Sequence, residues 1–564
     1  MPDPSTLPLE LFTEIITLAL QPPPPPPTAT NIWDRSSDTK HEYDFNSGIN
    51  ISHLSLLTRI NRQWHALLLP TLYARYSHNG ARHSYKTLWQ FVRTAISNPR
   101  VPSLVRAVSI GNWGFYPDVI AHDKGVRGDN VQFSVGEVEM MRRAMRAVFG
   151  STGDNERVDM LEARVLGPAS LVRRDTRPLV TVLLVCLSNI ETVYLHLPAE
   201  CSVLRCALEE LLRCQDEDGE RPCLRRLVSL HLLAEVPVYG PEIDVSLEWP
   251  QQAFRLDNVW PCIYSSGLRT LALYDLESAG IASLLAKNHG RVCQVENLSI
   301  VVKATPTRSS TDVLALVKLP RSLTSFSIYW DHNIRNPITH QKDPAPVILV
   351  TDIWDALQKH QESLEELAVV YKVHQDDKPP PGHFGSLKAF PRLKRLDTQL
   401  NILLDGMTPE RFAPFRLKDT IPENLDTLVV HPGWVDEIDL DFPNTEFQAL
   451  VAERRRPLKR LVIDDYLALA YYTKAKVVDE GGVYLGMEPN GPEPYPGLWE
   501  LCKKAGTQIH ATGSCIDMYF ERPCEFHKGG ACPWLWRKTW DIYRDGFQRN
   551  RDGVERLGKK RRAR

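Results

Sequence analysis

The sequence lacks any apolar stretch long enough to cross a lipid bilayer. Its longest strongly apolar run, Leu179 to Leu187, is interrupted by Thr181 and is far shorter than the roughly 20 residues that a transmembrane helix needs. The first apolar stretch, Leu7 to Leu20, has no basic flank before it and does not resemble a secretory signal. The 11 cysteines show no paired spacing. We therefore expect an intracellular protein with reduced thiols, placed in the cytoplasm, the nucleus or both, and without a membrane partner.

A large excess of charge of one sign is also missing. The chain has 67 Lys and Arg against 69 Asp and Glu, a formal net charge of -2, which gives no reason to expect nucleic acid as a general partner. The exception is residues 537–564, where 11 basic and 4 acidic residues give +7. Such a cluster can act as a nuclear-import signal, contact nucleic acid or solubilise the chain. The sequence leaves these three roles open.

The common catalytic motifs are absent as well. The sequence contains no phosphate-binding glycine loop, no His-Glu-x-x-His helix and no nucleophile elbow. Cys524, His527 and Cys532, with Cys515 upstream, offer four soft metal ligands. Their spacing matches no standard zinc pattern, and reduced structural cysteines are the simpler interpretation. We therefore predict a non-catalytic protein without a cofactor or a metal site.

The first helix predicted from the sequence begins near Leu7-Pro8. Proline is tolerated at the first position of a helix, because the N–H that it lacks would have no partner there. Apolar residues then recur at helical spacing, with Leu11 and Ile15 among them. The resulting stripe is too wide for one neighbouring helix to cover, so we expect part of it to contact another protein.

A second amphipathic helix is predicted from residue 53 onward. Leu57, Ile60 and Trp64 share one face of it. Residues 21–50 separate the two helices, and this segment starts with Gln21 and six consecutive prolines. A proline run adopts an extended conformation and cannot continue a helix. We therefore expect an exposed insertion, which closes at modest entropic cost because that cost grows only logarithmically with length.

These two segments resemble the two halves of an F-box as found in fungal proteins. The resemblance rests on Leu7-Pro8-Leu9-Glu10 with its apolar helix, and on the Leu69-Pro70-Thr71-Leu72-Tyr73 ending of residues 54–73. It implies an F-box over residues 1–78 that binds the linker protein of an SCF ubiquitin ligase and, through it, a cullin. The residues that the resemblance assigns to this docking are Leu7, Pro8, Leu11, Ile15, Leu57, Ile60 and Trp64.

The rest of the chain repeats an apolar-x-x-apolar-x-apolar pattern. Its copies start at Val105, Ile190, Leu227, Leu268, Val295, Leu323, Leu364, Leu425 and Leu458, with a degraded copy at Leu393 that ends in polar Thr398. From Ile190 onward the copies are 27 to 41 residues apart, enough for a strand, a helix and their connections. Self-similarity at this period indicates a solenoid.

The pattern resembles the longer leucine-rich repeats that follow F-boxes. We therefore predict an α/β fold in which a three-helix F-box precedes an irregular leucine-rich-repeat solenoid. The predicted boundaries are a linking helix at 79–102, the solenoid at 103–520 and a basic tail at 521–564.

Strand geometry then predicts a binding face for a protein target. If the fourth and sixth positions of each repeat point inward, the third and fifth point outward, and the two following residues continue along the concave surface. Aromatic and arginine side chains on that surface are typical of protein interfaces. The predicted substrate-binding residues are Tyr194, His231, Tyr274, Tyr329, Trp330, Tyr371, Arg395 and Arg460, with Tyr329 and Trp330 as the leading anchors. A solvated sheet face with ordinary aromatics is the alternative.

The resemblance thus implies the substrate-recognition subunit of a cullin-based SCF ubiquitin ligase. Two alternatives remain open. One is a leucine-rich scaffold that does not dock on a ligase, and the other is a metal- or nucleic-acid-binding protein acting through residues 515–564.

Overall fold

A computed structural model describes the greater part of the chain between Ile51 and Thr512. The described residues are 51–79, 85–111, 133–149, 155–166, 176–198, 201–217, 224, 226–234, 254–277, 280–287, 291–303, 311–331, 348–372, 382–405, 415–431, 441–464, 473–475, 487–489, 495 and 497–512. They form two compact units, the first ending at Leu268 and the second beginning at Arg269. Both units combine helices with parallel strands, which confirms the predicted α/β class. Among these residues, no helix has the length and apolar character that crossing a membrane requires.

The first unit places four parallel strands in sequence order. The strands are β1 (Arg75–Asn79), β2 (Ala107–Gly111), β3 (Thr192–Leu197) and β4 (Ser229–Ala234). Its helices are α1 (Ile51–Leu57), α2 (Arg62–Tyr73), α3 (Tyr85–Ser97), α4 (Arg100–Leu104), α5 (Val135–Phe149), α6 (Asn155–Leu166), α7 (Arg177–Cys186), α8 (Ser202–Glu217) and α9 (Trp260–Ile263). Because β1 pairs with β2, the sheet begins at Arg75 and not at residue 103, where the first repeat was predicted.

The second unit continues the same arrangement with more strands. Its strands are β5 (Thr270–Leu276), β6 (Asn297–Lys303), β7 (Ser325–Asp331), β8 (Glu366–Lys372), β9 (Arg395–Gln399), β10 (Thr427–His431), β11 (Arg460–Asp464), a short antiparallel pair β12 (Thr473–Ala475) and β13 (Met487–Pro489), and β14 (Gln508–Thr512). Its helices are α10 (Ile281–Ala286), α11 (Thr311–Lys318), α12 (Val350–Leu357), α13 (Leu400–Leu404), α14 (Leu417–Thr420), α15 (Asp441–Glu453) and α16 (Leu498–Ala505). From β5 to β11 each strand pairs in parallel with the next one along the chain, and β14 then pairs with β11. This order is compatible with an α/β solenoid.

All ten copies of the repeat pattern form strands of the parallel sheets. Each strand begins two residues after the first apolar residue of its copy, as Ser325 follows Leu323 and Glu366 follows Leu364. That first residue is at most 1% exposed in every copy. The predicted strand positions are therefore confirmed, including the degraded copy at Leu393. There the buried hydroxyl of Thr398 donates to the carbonyl oxygen of Val369 at 3.0 Å, so the polar residue is satisfied inside the core.

One backbone carbonyl per repeat holds two amides of the next strand. The carbonyl oxygen of Glu365 accepts from the N–H groups of Lys394 at 2.8 Å and Arg395 at 3.0 Å. Thr324, Lys394 and Asp426 do the same for the strands that follow them. Because side chains alternate between the faces of a strand, a slip of one residue would exchange core and surface. Paired hydrogen bonds of this kind fix the register at the start of β2 to β4 and β6 to β11, whereas at β14 the N–H of Gln508 alone bonds to Lys459.

Candidate functional site

A polar cleft lies on one face of the parallel strands of the second unit. Its volume is about 450 Å³, within the range of roughly 300 to 1,000 Å³ that ligand pockets occupy. Three residues at the fifth repeat position, Ser299, Ser327 and Ala368, lie in adjacent strands and form its floor. Small side chains on neighbouring strands leave space that larger ones would fill. The cleft is therefore a direct result of the residue sizes at one repeat position.

Hydrogen bonds between side chains order the polar groups of this cleft. The hydroxyl of Ser327 donates to that of Ser299 at 2.8 Å. The amide of Asn297 donates to Thr270 Oγ1 at 3.3 Å and accepts from Thr324 Oγ1 at 3.1 Å. Because these groups bond one another, their orientations are set before any ligand arrives.

Charged residues occupy the end of the cleft formed by β8 and β9. Glu365 pairs with Lys394 at 2.7 Å, and this contact holds the pKa of the Glu365 carboxyl below its usual range. Asp397 is 1% exposed and lies 2.8 Å from Nε2 of His431. Arg395 Nη2 lies 3.7 Å from the other oxygen of Asp397. The carboxylates at this end are thus held at fixed positions.

Two of the predicted substrate-binding residues are arginines on this unit. Arg395 starts β9 and lines the cleft, as expected for a third-position residue. Arg460 starts β11, two strands further on, and is half-buried. The structure therefore brings Arg395, but not Arg460, into the cleft.

The predicted aromatic residues of the second unit are not exposed. Tyr274, Tyr329 and Tyr371 are 3%, 4% and 1% exposed, so the expectation that these rings face a partner was wrong. Asn401 donates a hydrogen bond to the Tyr371 hydroxyl, which satisfies that buried group inside the protein. Large rings at the ends of strands bury apolar area that would be costly to leave in water. The side chain of Trp330 lies outside the described part of the chain, and its role stays a prediction.

Tyr194 and His231 lie together in the first unit. Their rings stack with centroids 4.1 Å apart, and Nε2 of His231 lies 2.8 Å from the hydroxyl oxygen of Ser229. Tyr194 is only 7% exposed, and burial lowers the pKa of His231 to about 4. The pair therefore stabilises the sheet as a neutral stack, with little of Tyr194 left for a partner.

The predicted docking residues divide into two groups. Leu7, Pro8, Leu11 and Ile15 lie outside the described residues. Leu57 and Trp64 pack against a small core formed by Leu54 and Leu68, whereas Ile60 is 58% exposed. Of the docking residues that the structure describes, Ile60 is the one whose side chain is largely in solvent.

The metal and nucleic-acid alternatives involve a part of the chain that the structure does not describe. Cys515, Cys524, His527, Cys532 and the basic residues 537–564 all follow Thr512. Within the described ranges, no group of three or more His, Cys, Asp or Glu side chains could hold a metal ion. These alternatives therefore stay untested.

The sequence carries a signal for the cleft in the small residues at the fifth repeat position, which a prediction based on aromatic residues does not use. Ala272, Ser299, Ser327 and Ala368 occupy the fifth position of four successive repeats. A run of small residues at one repeat position predicts a depression in the sheet face. Comparison of the chain with protein-family models finds no match, and comparison with curated proteins finds none either.

Proposed function

We propose that this chain is the substrate-recognition subunit of a cullin-based SCF ubiquitin ligase. The observation that carries the proposal is an exposed apolar pair at the end of α1. Leu56 and Ile60 are 60% and 58% exposed, although they stand beside the small core of α1 and α2. Large aliphatic side chains that remain together in solvent are a mark of interaction sites.

Local hydrogen bonds hold this pair in place. The N–H of Ile60 donates to the carbonyl oxygen of Leu57 at 3.2 Å, which closes the turn after α1. Asn61 then caps α2, because its side-chain oxygen accepts from the N–H of Trp64 at 2.9 Å. The turn therefore presents Ile60 at a defined position, as docking on a linker protein would require.

The docking helices also pass directly into the first sheet. α2 ends at Tyr73 and β1 begins at Arg75, so Ala74 alone connects them. A receptor works by holding its target near the ubiquitin-charged enzyme, and it supplies no reacting group of its own. A short connection between the docking helices and the first sheet limits the motion that would weaken this effect. The proposed role is that of a non-catalytic adaptor.

Capture of the SCF linker protein by the full-length chain tests the proposal. The double variant Leu56→Glu/Ile60→Glu should place unpaired charge in an apolar contact. This should cost about 3 kcal/mol or more of binding free energy and abolish capture. V292E is the matched control, because Val292 is 57% exposed but lies in the second unit. All variants are first compared with the wild type by melting temperature.

Two outcomes would overturn the receptor proposal. In the first, the wild-type chain fails to capture the linker protein. In the second, the folded double variant captures it as well as the wild type does. The scaffold without ligase docking would then be the better interpretation.

A further inference from the structure

The charges of the cleft do not balance. Among the described residues, Arg395 is the one cation that lines it, and its guanidinium lies beside Asp397. Glu365 is already paired with Lys394 at the rim. Glu366 is exposed, and the hydroxyl of Ser325 at 3.4 Å is its contact within the described residues. Among those residues, Glu366 is thus a lining carboxylate without a cationic partner.

The geometry of the strands explains why Arg395 does not neutralise Glu366. The two residues stand directly opposite each other in adjacent strands, but no ion pair joins them. Residues two apart on a strand share a face, so Asp397 lies on the same side of β9 as Arg395, and its Oδ2 is 3.7 Å from Nη2. The guanidinium is therefore drawn along its own strand and away from β8.

The resulting field favours a cation. An anionic ligand would meet the exposed carboxylate of Glu366, whose charge no cation among the described residues neutralises, and like charges repel. A cleft with walls of low dielectric focuses this negative potential and attracts positive charge. A phosphorylated ligand is therefore disfavoured, and a lysine or arginine side chain is complementary.

The floor adds a second requirement. Ser327 donates to Ser299, and Asn297 bonds Thr270 and Thr324, so the hydroxyl and amide oxygens here keep further acceptor lone pairs for a ligand. Small polar residues and backbone amides can meet these groups, whereas large apolar side chains would bury them without partners.

We propose that this cleft binds a protein segment in which a lysine or arginine pairs with Glu366 while small polar neighbours lie over Ser299 and Ser327. The inference rests on the proposed receptor function for the role of that segment as a target. The binding itself is a property of the cleft.

Fluorescence anisotropy of labelled peptides on the full-length chain tests the inference. The peptides have the form Gly-Ser-Gly-X-Gly-Ser-Gly, where X is Arg, Lys, Ala, Glu or phosphoserine. Those with Arg or Lys should bind about two- to fivefold more tightly than the others, as for an exposed ion pair, and added salt should reduce the difference because it screens charge. E366Q should remove the preference, and E366R should transfer it to the Glu peptide.

A matched control separates Glu366 from a general charge effect. Glu362 is exposed, lies four residues earlier and does not line the cleft, so E362Q should leave peptide binding unchanged. Equal binding of all peptides, no binding, or an Arg preference that survives E366Q would each overturn the inference. Displacement by free arginine or spermidine at the peptide's own concentration would overturn the assignment to a protein segment.

The peptide-binding result can be distinguished from the result of the linker-capture experiment. E366Q should still capture the SCF linker protein, because Glu366 belongs to the second unit and the apolar pair to the first. A chain that binds basic peptides but not the linker protein keeps the cleft inference and loses the ligase assignment.

Discussion

Nδ1 of His360 accepts a hydrogen bond from the backbone N–H of Leu323 at 3.2 Å. Its other ring nitrogen, Nε2, lies 2.9 Å from the carbonyl oxygen of Val317 at the end of α11. The first contact needs an unprotonated Nδ1 and the second needs Nε2–H, so the two together define a neutral ring with one tautomer. His360 is 1% exposed, and burial lowers its pKa from the usual value. The ring therefore joins two neighbouring repeats only while it is uncharged.

Stability should fall in mild acid because of this histidine. A folded-state pKa below that of the unfolded chain means that the unfolded chain binds more protons, so the contribution is complete above about pH 6.5 and decreases as the pH falls below it. Urea unfolding at pH 7.5 and pH 5.5 measures the loss. His360→Leu should be destabilised by about 1–3 kcal/mol at pH 7.5 and should show a smaller loss at pH 5.5.

Other histidines of the chain determine the control for this measurement. His65 is exposed, and His65→Leu should retain the wild-type dependence on pH. Burial also lowers the pKa of His196 and His231, each to about 4, so the first unit loses stability in the same direction. The test is therefore the difference between variants. Identical slopes for wild type and His360→Leu would contradict the prediction.

The buried pair of Asp397 and His431 should show strong energetic coupling. Both side chains are at most 2% exposed, and Nε2 of His431 lies 2.8 Å from Asp397 Oδ1. D397A removes this acceptor from a buried N–H, which should cost about 1–3 kcal/mol. H431F removes the need for the acceptor. In a double-mutant cycle the two changes should differ from additivity by at least about 1 kcal/mol, and additive effects would show that the contact contributes little.

Two glycines should respond in opposite directions to alanine. A Cβ at Gly385 would lie 2.9 Å from Cζ2 of Trp354, whose ring packs 5.3 Å from that of Phe390. G385A should therefore destabilise the protein by about 1–3 kcal/mol. Gly136 lies in α5 with nothing within 4 Å of a built Cβ, so G136A should stabilise by about 0.5–1 kcal/mol. Chemical denaturation measures both, and a stable G385A would show that Trp354 can move aside.

The strands were predictable because a buried aliphatic residue stands two positions before the strand in every repeat. Leu323, Leu364 and Leu425 are all fully buried at the point where a strand is about to begin, and the sequence marks each with the same apolar spacing. β1 carries no such signal, since its strand reads Arg-Tyr-Ser-His-Asn. It forms a strand because the amides of Arg106 and Ala107 bond to the carbonyl oxygen of Ala74. A tertiary contact of this kind cannot be inferred from local pattern.

The binding face was predicted less well, for a physical reason. The alternation of side chains along a strand predicts the face of the sheet on which each side chain lies. It does not predict which other residues cover that face. Tyr329 follows Ser325 and Ser327 in alternation, yet it is 4% exposed whereas both serines are half-buried and line the cleft. Aromatic residues were favoured as anchors because of their size, and size is also what makes burial favourable. The small residues that define the cleft have no such size, so a prediction based on large side chains does not include them.

The paired hydrogen bonds at the start of β2 to β4 and β6 to β11 have different consequences for residues inserted between repeats and for residues inserted at the start of a strand. A connection between repeats can gain residues without moving the next strand. The reason is that the buried first residue of each copy and the hydrogen bonds to the carbonyl of the preceding repeat both lie after the end of the connection. From Ile190 onward the copies are already between 27 and 41 residues apart while their strands keep one register. A single residue inserted between Leu323 and Ser325 would instead move Ser325 and Ser327 from the cleft to the core face of β7. The connections between repeats can therefore differ in length, whereas the segment from the buried first residue into the strand cannot.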